Sequence, residues 1–182
     1  MKSVFYLILV IFAFFFVVNN FAPEALEKDL AVKETIVAPF KYAALLAKEP
    51  EATIRIPVRK VKKSNIADTF GAPRGKDRAH KGQDIFAARN TPIYAAADGF
   101  VWRVGENNLG GNTIWTIGAG GRVYYYAHLE RYAENLNVGD AVSTETILGY
   151  VGTSGNAKGT PPHLHFGVYT NGGAINPLEL FD

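Results

Sequence analysis

From Thr53 onward the chain is cut by glycine every few residues, and the stretches between the cuts are short and rich in Val, Ile, Tyr and Thr. Short β-branched and aromatic runs bounded by glycine turns are the pattern of strands. No helical periodicity of useful length follows Pro50. The expected strands are Thr53–Val58, Pro92–Ala95, Phe100–Val104, Thr113–Ile117, Val123–His128, Ile147–Val151 and His163–Tyr169. Gly110-Gly111, Gly118 to Gly121, Gly139-Asp140 and Gly152 to Gly159 separate them, and Asn171-Gly172 is a hairpin-turn dipeptide after the last. The pattern predicts a mainly β, antiparallel domain with loops at one rim carrying the site. A chain of 182 residues holds one such domain and an appendage.

The appendage is the N-terminus. Val4 to Val18 is unbroken apolar sequence after Lys2. As a helix it spans about 22 Å, short of the roughly 30 Å hydrocarbon core. It fits a signal-peptide core or, extended through Asn19 to Ala22, a signal anchor; no small-x-small triplet follows, which favours the anchor. Residues 1–22 are therefore read as anchor or signal peptide. Lys2 before the run, with Glu24, Glu27 and Asp29 against Lys28 after it, places the remainder outside the cytoplasm, on the periplasmic side of the inner membrane or secreted. Residues 23–52 read as a partly helical spacer, in which Pro39 opens a short helix through Lys48 and Pro50 closes it. Residues 53–182 form the domain.

The absence of cysteine excludes a disulfide framework and thiolate ligands. A net charge of +2 gives no argument for nucleic acid. Arg55, Arg59, Lys60, Lys62 and Lys63 form one basic run, and Arg74, Lys76, Arg78 and Lys81 crowd the first histidine. Such runs are either solvated strand edges or cradles for an anionic polymer.

All four histidines fall in three motifs: His80-Lys-Gly-Gln-Asp84, Tyr126-Ala-His128-Leu and His163-Leu-His165. A catalytic zinc needs three protein ligands and an open position. A turn at Gly82 lets His80 and Asp84 converge. His163 and His165, at i and i+2 of a strand, share a face, and a neighbouring strand delivers His128 to it. Five groups exceed three ligands by two, which is what hydrolysis asks for: a proton acceptor and a group for the developing oxyanion. By the same alternation Tyr124 and Tyr126 share the face of His128, which makes Tyr126 the expected site neighbour.

With these motifs in view, Asp68 to Leu178 resembles the lysostaphin/LytM-type zinc metallopeptidases, which cut peptide bonds in bacterial peptidoglycan. The resemblance is carried by Phe70-Gly-Ala-Pro-Arg, His80-Lys-Gly-Gln-Asp84-Ile, Thr91-Pro-Ile-Tyr-Ala, Asp98-Gly-Phe-Val, Gly111-Asn112, Tyr126-Ala-His128-Leu, Gly139-Asp-Ala-Val, Ile147-Leu-Gly-Tyr-Val-Gly-Thr-Ser-Gly155, His163-Leu-His165-Phe and Asn176-Pro177. It implies a small antiparallel β domain with a groove over a sheet, walled by residues 152–162 and Leu109–Asn112. It implies one zinc ion held by His80, Asp84 and His165, with His163 and His128 as the catalytic pair. The implied activity is endopeptidase action on cross-link peptides; the alternative is a metal-retaining regulatory module that activates other wall hydrolases and tolerates alanine at His128 and His163. Some members place a tyrosine just upstream of the first ligand, where this chain has Arg74 and Lys76. A cupin-like metal enzyme would add an acid soon after His-x-His, and Phe166 to Gly173 contains none.

Overall fold

The computed structural model describes residues 41–75 and 78–182. The expected anchor or signal peptide (1–22), most of the spacer and Pro39 lie outside the described residues. Within them, residues 41–46 are helical, as expected there. No helix among the described residues is long and apolar enough to cross a membrane. Tyr42–Asp182 is one compact unit.

Nine strands build it: β1 (Gln83–Phe86), β2 (Pro92–Tyr94), β3 (Gly99–Asn107), β4 (Gly111–Gly118), β5 (Val123–Tyr132), β6 (Ala141–Val142), β7 (Ile147–Val151), β8 (His163–Thr170) and β9 (Gly173–Ile175). The main path runs β1-β8-β5-β4-β3-β6, with β7 joining β2 to β5 and β9 on β8. The strand pairs are all antiparallel. A single turn of helix, α1 (Pro177–Leu180), follows β9 and is capped by the Asn176 side chain, which accepts from Leu178 N. The mainly β reading of the sequence is borne out. Asn171-Gly172 makes the β8–β9 turn, with Thr170 opposite Gly173.

The expected strand at Thr53–Val58 does not form. Ile54 makes one isolated bridge to Phe181, Arg55 N donates to the Ala96 carbonyl, and the Pro57 carbonyl accepts from Tyr94 N. Pro57 has no N–H, so the segment cannot carry a continuous ladder and is pinned by scattered bonds. Conversely, Gln83–Phe86 is a strand that is not among those expected from the sequence, which shows only the turn at Gly82.

The sheet has one apolar face and one polar face. Ile85, Leu164, Phe166, Val168, Tyr124, Tyr126 and Ile114 are fully buried on the apolar side. Phe166 stacks on Phe181 at 5.8 Å between ring centroids. Each such side chain contributes about 1.5–3 kcal/mol by leaving water. The polar side carries Asp84 on β1, His163, His165 and Tyr169 on β8, Tyr125 and Ala127 on β5 and Trp115 on β4, and these residues line one cavity.

Candidate metal centre and groove

Strand register brings the distant motifs together. Asp84 on β1 lies opposite His165 on β8, and Phe86 lies opposite His163. On the other side of β8, Ala127 lies opposite His165. Its methyl leaves room for the imidazole. Gly82 is required for closeness: a Cβ there would sit 2.5 Å from the Phe166 carbonyl oxygen and 2.8 Å from His165 Cε1. His80 arrives on the loop before β1. Its backbone exchanges bonds with Gly71 and Ala72, and the buried Gln83 side chain accepts from Thr69 N while donating to Asp68 and Asn176. That buried amide ties the loop carrying His80 to the strand carrying Asp84.

His80, Asp84 and His165 each offer a donor atom, and the three lie within 4.8 Å of one another. His80 Nε2 is 2.8 Å from His165 Nδ1, and Asp84 Oδ1 is 3.1 Å from both. Donors on neighbouring corners of a tetrahedral zinc stand about 3.4 Å apart for bonds of about 2.1 Å. Two imidazoles and one carboxylate at this spacing fit a divalent ion. The Nδ1 of His80 is 2.8 Å from the Thr69 carbonyl, a bond that directs Nε2 inward. Arg74 Nη2 holds the second oxygen of Asp84 at 2.5 Å.

The other two histidines stand beside this group. The His128 and His163 rings are 5.0 Å apart, and His128 lies 5.8 Å from His165. His163 Nδ1 donates to the Pro161 carbonyl at 2.8 Å and His128 Nδ1 to the Ser154 carbonyl at 2.9 Å. Each bond fixes the tautomer and leaves Nε2 as the accepting nitrogen. All five residues named from the sequence therefore meet in one place.

Electrostatics favour the forms a metal takes. Burial pushes the Asp84 carboxyl up, but hydrogen bonds with His165 and His80 and their charges outweigh it and hold the group well below the usual carboxylate range. Burial lowers His165, against the raising effect of Asp84. Burial, followed by the charges of His163 and His165, brings His128 down to about 4 against the pull of the Ser154 carbonyl.

That shift has a consequence for stability. His128 in the unfolded chain takes a proton as pH falls through 6.5, whereas in the folded protein it stays neutral until about 4. The unfolded state thus binds more protons in this window, and stability falls as pH falls. With chelator present, urea denaturation should lose on the order of 3 kcal/mol between about pH 6.5 and 4 from this group, and His165 adds in the same direction. His128→Gln should flatten the profile; an unchanged slope would mean that the imidazole is not held neutral.

The structure corrects one sequence expectation. Tyr126 is not the site neighbour: it lies wholly in the core, where its hydroxyl accepts from Ala96 N. Tyr125 lines the groove instead, its ring 5.9 Å from that of His165. A bulge causes the swap. The β4–β5 register shifts between Asn112 and Ile114, and His128 adopts φ 65. The extra residue breaks the period-two alternation, so His128 joins the face of Tyr125 and Ala127. At this bulge β5 also changes partner, from β8 up to Ala127 to β7 from Leu129.

The groove encloses about 810 Å³. Leu109 and Gly110 wall one side, and Asn156, Ala157, Thr160 and Pro161 another, as the resemblance implied. The sequence reading missed an aromatic cluster: Trp115 packs on Tyr125 at 4.2 Å and on Tyr169 at 5.7 Å. Odd-numbered positions, at i+4 from His165 on β8 and on the successive strands β5 and β4, carry the signal once the face is known.

A β-sheet groove with a two-histidine, one-carboxylate donor group and two further histidines is the site of a metallopeptidase-type domain. Residues 78–177 match Peptidase family M23, and the chain belongs to that family. It is 37% identical over 112 residues to the L-Ala–D-Glu endopeptidase of Bacillus subtilis, covering 58% of this chain and 34% of that protein. It is 34% identical over 106 residues to the peptidoglycan DD-endopeptidase ShyC of Vibrio cholerae, covering 58% and 24%. The chain thus matches about a third or less of these relatives' length. Among solved structures, the catalytic domain of lysostaphin from Staphylococcus simulans is similar at 34% identity and a TM-score of 0.55, covering 62% of this chain and 88% of that domain.

Proposed function

We propose that this chain is a zinc-dependent endopeptidase that hydrolyses cross-link peptides of bacterial peptidoglycan, with His80, Asp84 and His165 as ligands and His163 and His128 as the catalytic pair. The observation that carries this reading is the pair of imidazoles beside the donor group, each with Nδ1 tied to a backbone carbonyl. A regulator has no use for two oriented acceptor nitrogens next to a metal.

Zinc, when bound, polarises the scissile carbonyl and lowers the pKa of its water towards about 7. His163 Nε2 accepts the proton from the attacking water. His128, on the adjoining bulge, presents a second accepting Nε2, and would donate to the oxygen on which charge develops once that nitrogen carries a proton. Arg74 holds Asp84 by its outer oxygen and keeps the inner one pointed at the ligand position. Whichever imidazole has taken the proton returns it to the leaving amine. The exposed Phe86 and Leu109 flank the groove, where they exclude water from a bound peptide.

The test is digestion of purified peptidoglycan by the zinc-loaded full chain, followed by mass analysis of the muropeptides. Cleaved cross-links with new amino termini are the expected product. Intact cross-links from a folded protein that retains its metal would sink the reading and leave the regulatory one.

A further inference from the structure

The groove is electrically one-sided. Among the described residues Asp84 is the only carboxylate that lines it, and that group is taken up by His80, His165 and Arg74. Three cations line the same cavity: Arg74, Arg78 and Lys81. All three belong to one loop, folded back on itself by a bond from Arg74 N to the Arg78 carbonyl and by the Pro73–Ala79 bridge. Arg74 is committed to Asp84, but Arg78 and Lys81 are exposed and have no ion pair among the described residues. On the sheet face the same cavity is lined by the Trp115, Tyr125 and Tyr169 cluster, which presents rings and no charge.

A neutral substrate gains nothing from Arg78 and Lys81, two exposed cations that line the groove with no ion pair among the described residues. Each must shed water as the peptide seats and receives no partner in return. A metal ion adds further positive charge at the floor. The field along the groove is positive, and a peptide entering it is favoured if it carries free carboxylates.

We propose, resting on the endopeptidase reading, that Arg78 and Lys81 select peptides bearing free side-chain or terminal carboxylates over uncharged bridges and amidated stems. The aromatic cluster takes the apolar side of the same peptide. Two exposed ion pairs are together worth about tenfold in kcat/KM at low salt. The selection weakens as salt rises, because both cations face solvent.

The experiment uses the zinc-loaded full chain and one purified cross-linked muropeptide dimer, offered as isolated and with its carboxylates converted to carboxamides. The expected result is about a tenfold preference in kcat/KM for the carboxylate form at low salt. That preference should collapse towards unity in the Arg78→Gln/Lys81→Gln double variant and return in Arg78→Lys, with zinc content the same throughout. Equal rates on the two dimers, or a preference that survives the double variant, would overturn the proposal. If the zinc-loaded protein cleaves neither dimer, the endopeptidase reading is what fails. Calorimetric affinities of the His163→Ala protein for the two dimers then decide the carboxylate preference separately: tighter binding of the carboxylate form supports it and equal binding overturns it.

Discussion

His165→Ala should lose both bound zinc and all measurable turnover, whereas His163→Ala, two residues away on the same strand face, should keep its zinc and lose only turnover. The two side chains differ in what their nitrogens do. His165 Nδ1 lies 3.1 Å from Asp84 Oδ1 and 2.8 Å from His80 Nε2, so it is the third corner of the donor group. Removing it leaves two donors, fewer than a catalytic zinc requires. The Nδ1 of His163 is instead spent on the Pro161 carbonyl, outside the donor group. On the proposed assignment its loss removes a general base, worth about 10²–10⁴ in kcat. Metal content after dialysis, read beside the rate, separates the outcomes. Thermal unfolding gives a second readout, since zinc raises the melting temperature only of a protein that binds it. The wild type and His163→Ala should both shift with added zinc and His165→Ala should not. Metal loss from His163→Ala would show that the ligand and base assignments are exchanged.

This difference between neighbours was legible in the sequence only in part. The i, i+2 spacing states that His163 and His165 share a face, and the register confirms it, but spacing says nothing about which ring nitrogen a backbone carbonyl will claim. The same limit explains Tyr126. Alternation is a reliable guide along Phe166, Leu164 and Ile85, where strands run unbroken. It fails at His128, where φ of 65 inserts an extra residue between two paired positions. A bulge has no strict sequence signature outside glycine, so the shift of face was invisible. Gln83–Phe86 escaped for a different reason. Polar Gln83 and Asp84 do not look like a buried strand, yet Gln83 is completely buried because its amide ties Asp68, Thr69 and Asn176 together. Where polar groups are satisfied by distant partners, local pattern gives no warning.

Glycine is the other place where the sequence spoke without saying why. Gly110-Gly111 and the Gly152–Gly159 stretch read simply as turns. In the structure Gly111 and Gly155 meet backbone to backbone, at φ 63 and 67. A Cβ on Gly111 would lie 2.2 Å from Gly155 N and 2.4 Å from the Ser154 carbonyl carbon. The contact is closed by Asn112 N donating to Ser154 Oγ and Asn156 N donating to the Leu109 carbonyl, both at 2.9 Å. Ser154 also supplies the carbonyl that orients His128. Gly111→Ala should therefore act on both stability and chemistry. Left-handed backbone strain of about 1–2 kcal/mol and overpacking of about 1–3 kcal/mol sum to roughly 2–5 kcal/mol. That is within the usual stability of a domain, so the variant should still fold. The methyl must push Ser154 away, and His128 loses its tether; a displacement of about 1 Å at a catalytic group costs about 10²-fold in rate. Gly139→Ala separates the two effects. Gly139 also has a left-handed φ, 95, but nothing lies within 4 Å of its Cβ position and it does not line the groove. It should lose stability by strain alone and keep its rate. Zinc content should be full in both. Equal rate losses in the two variants would mean that the Gly111–Gly155 contact does not hold His128 in place.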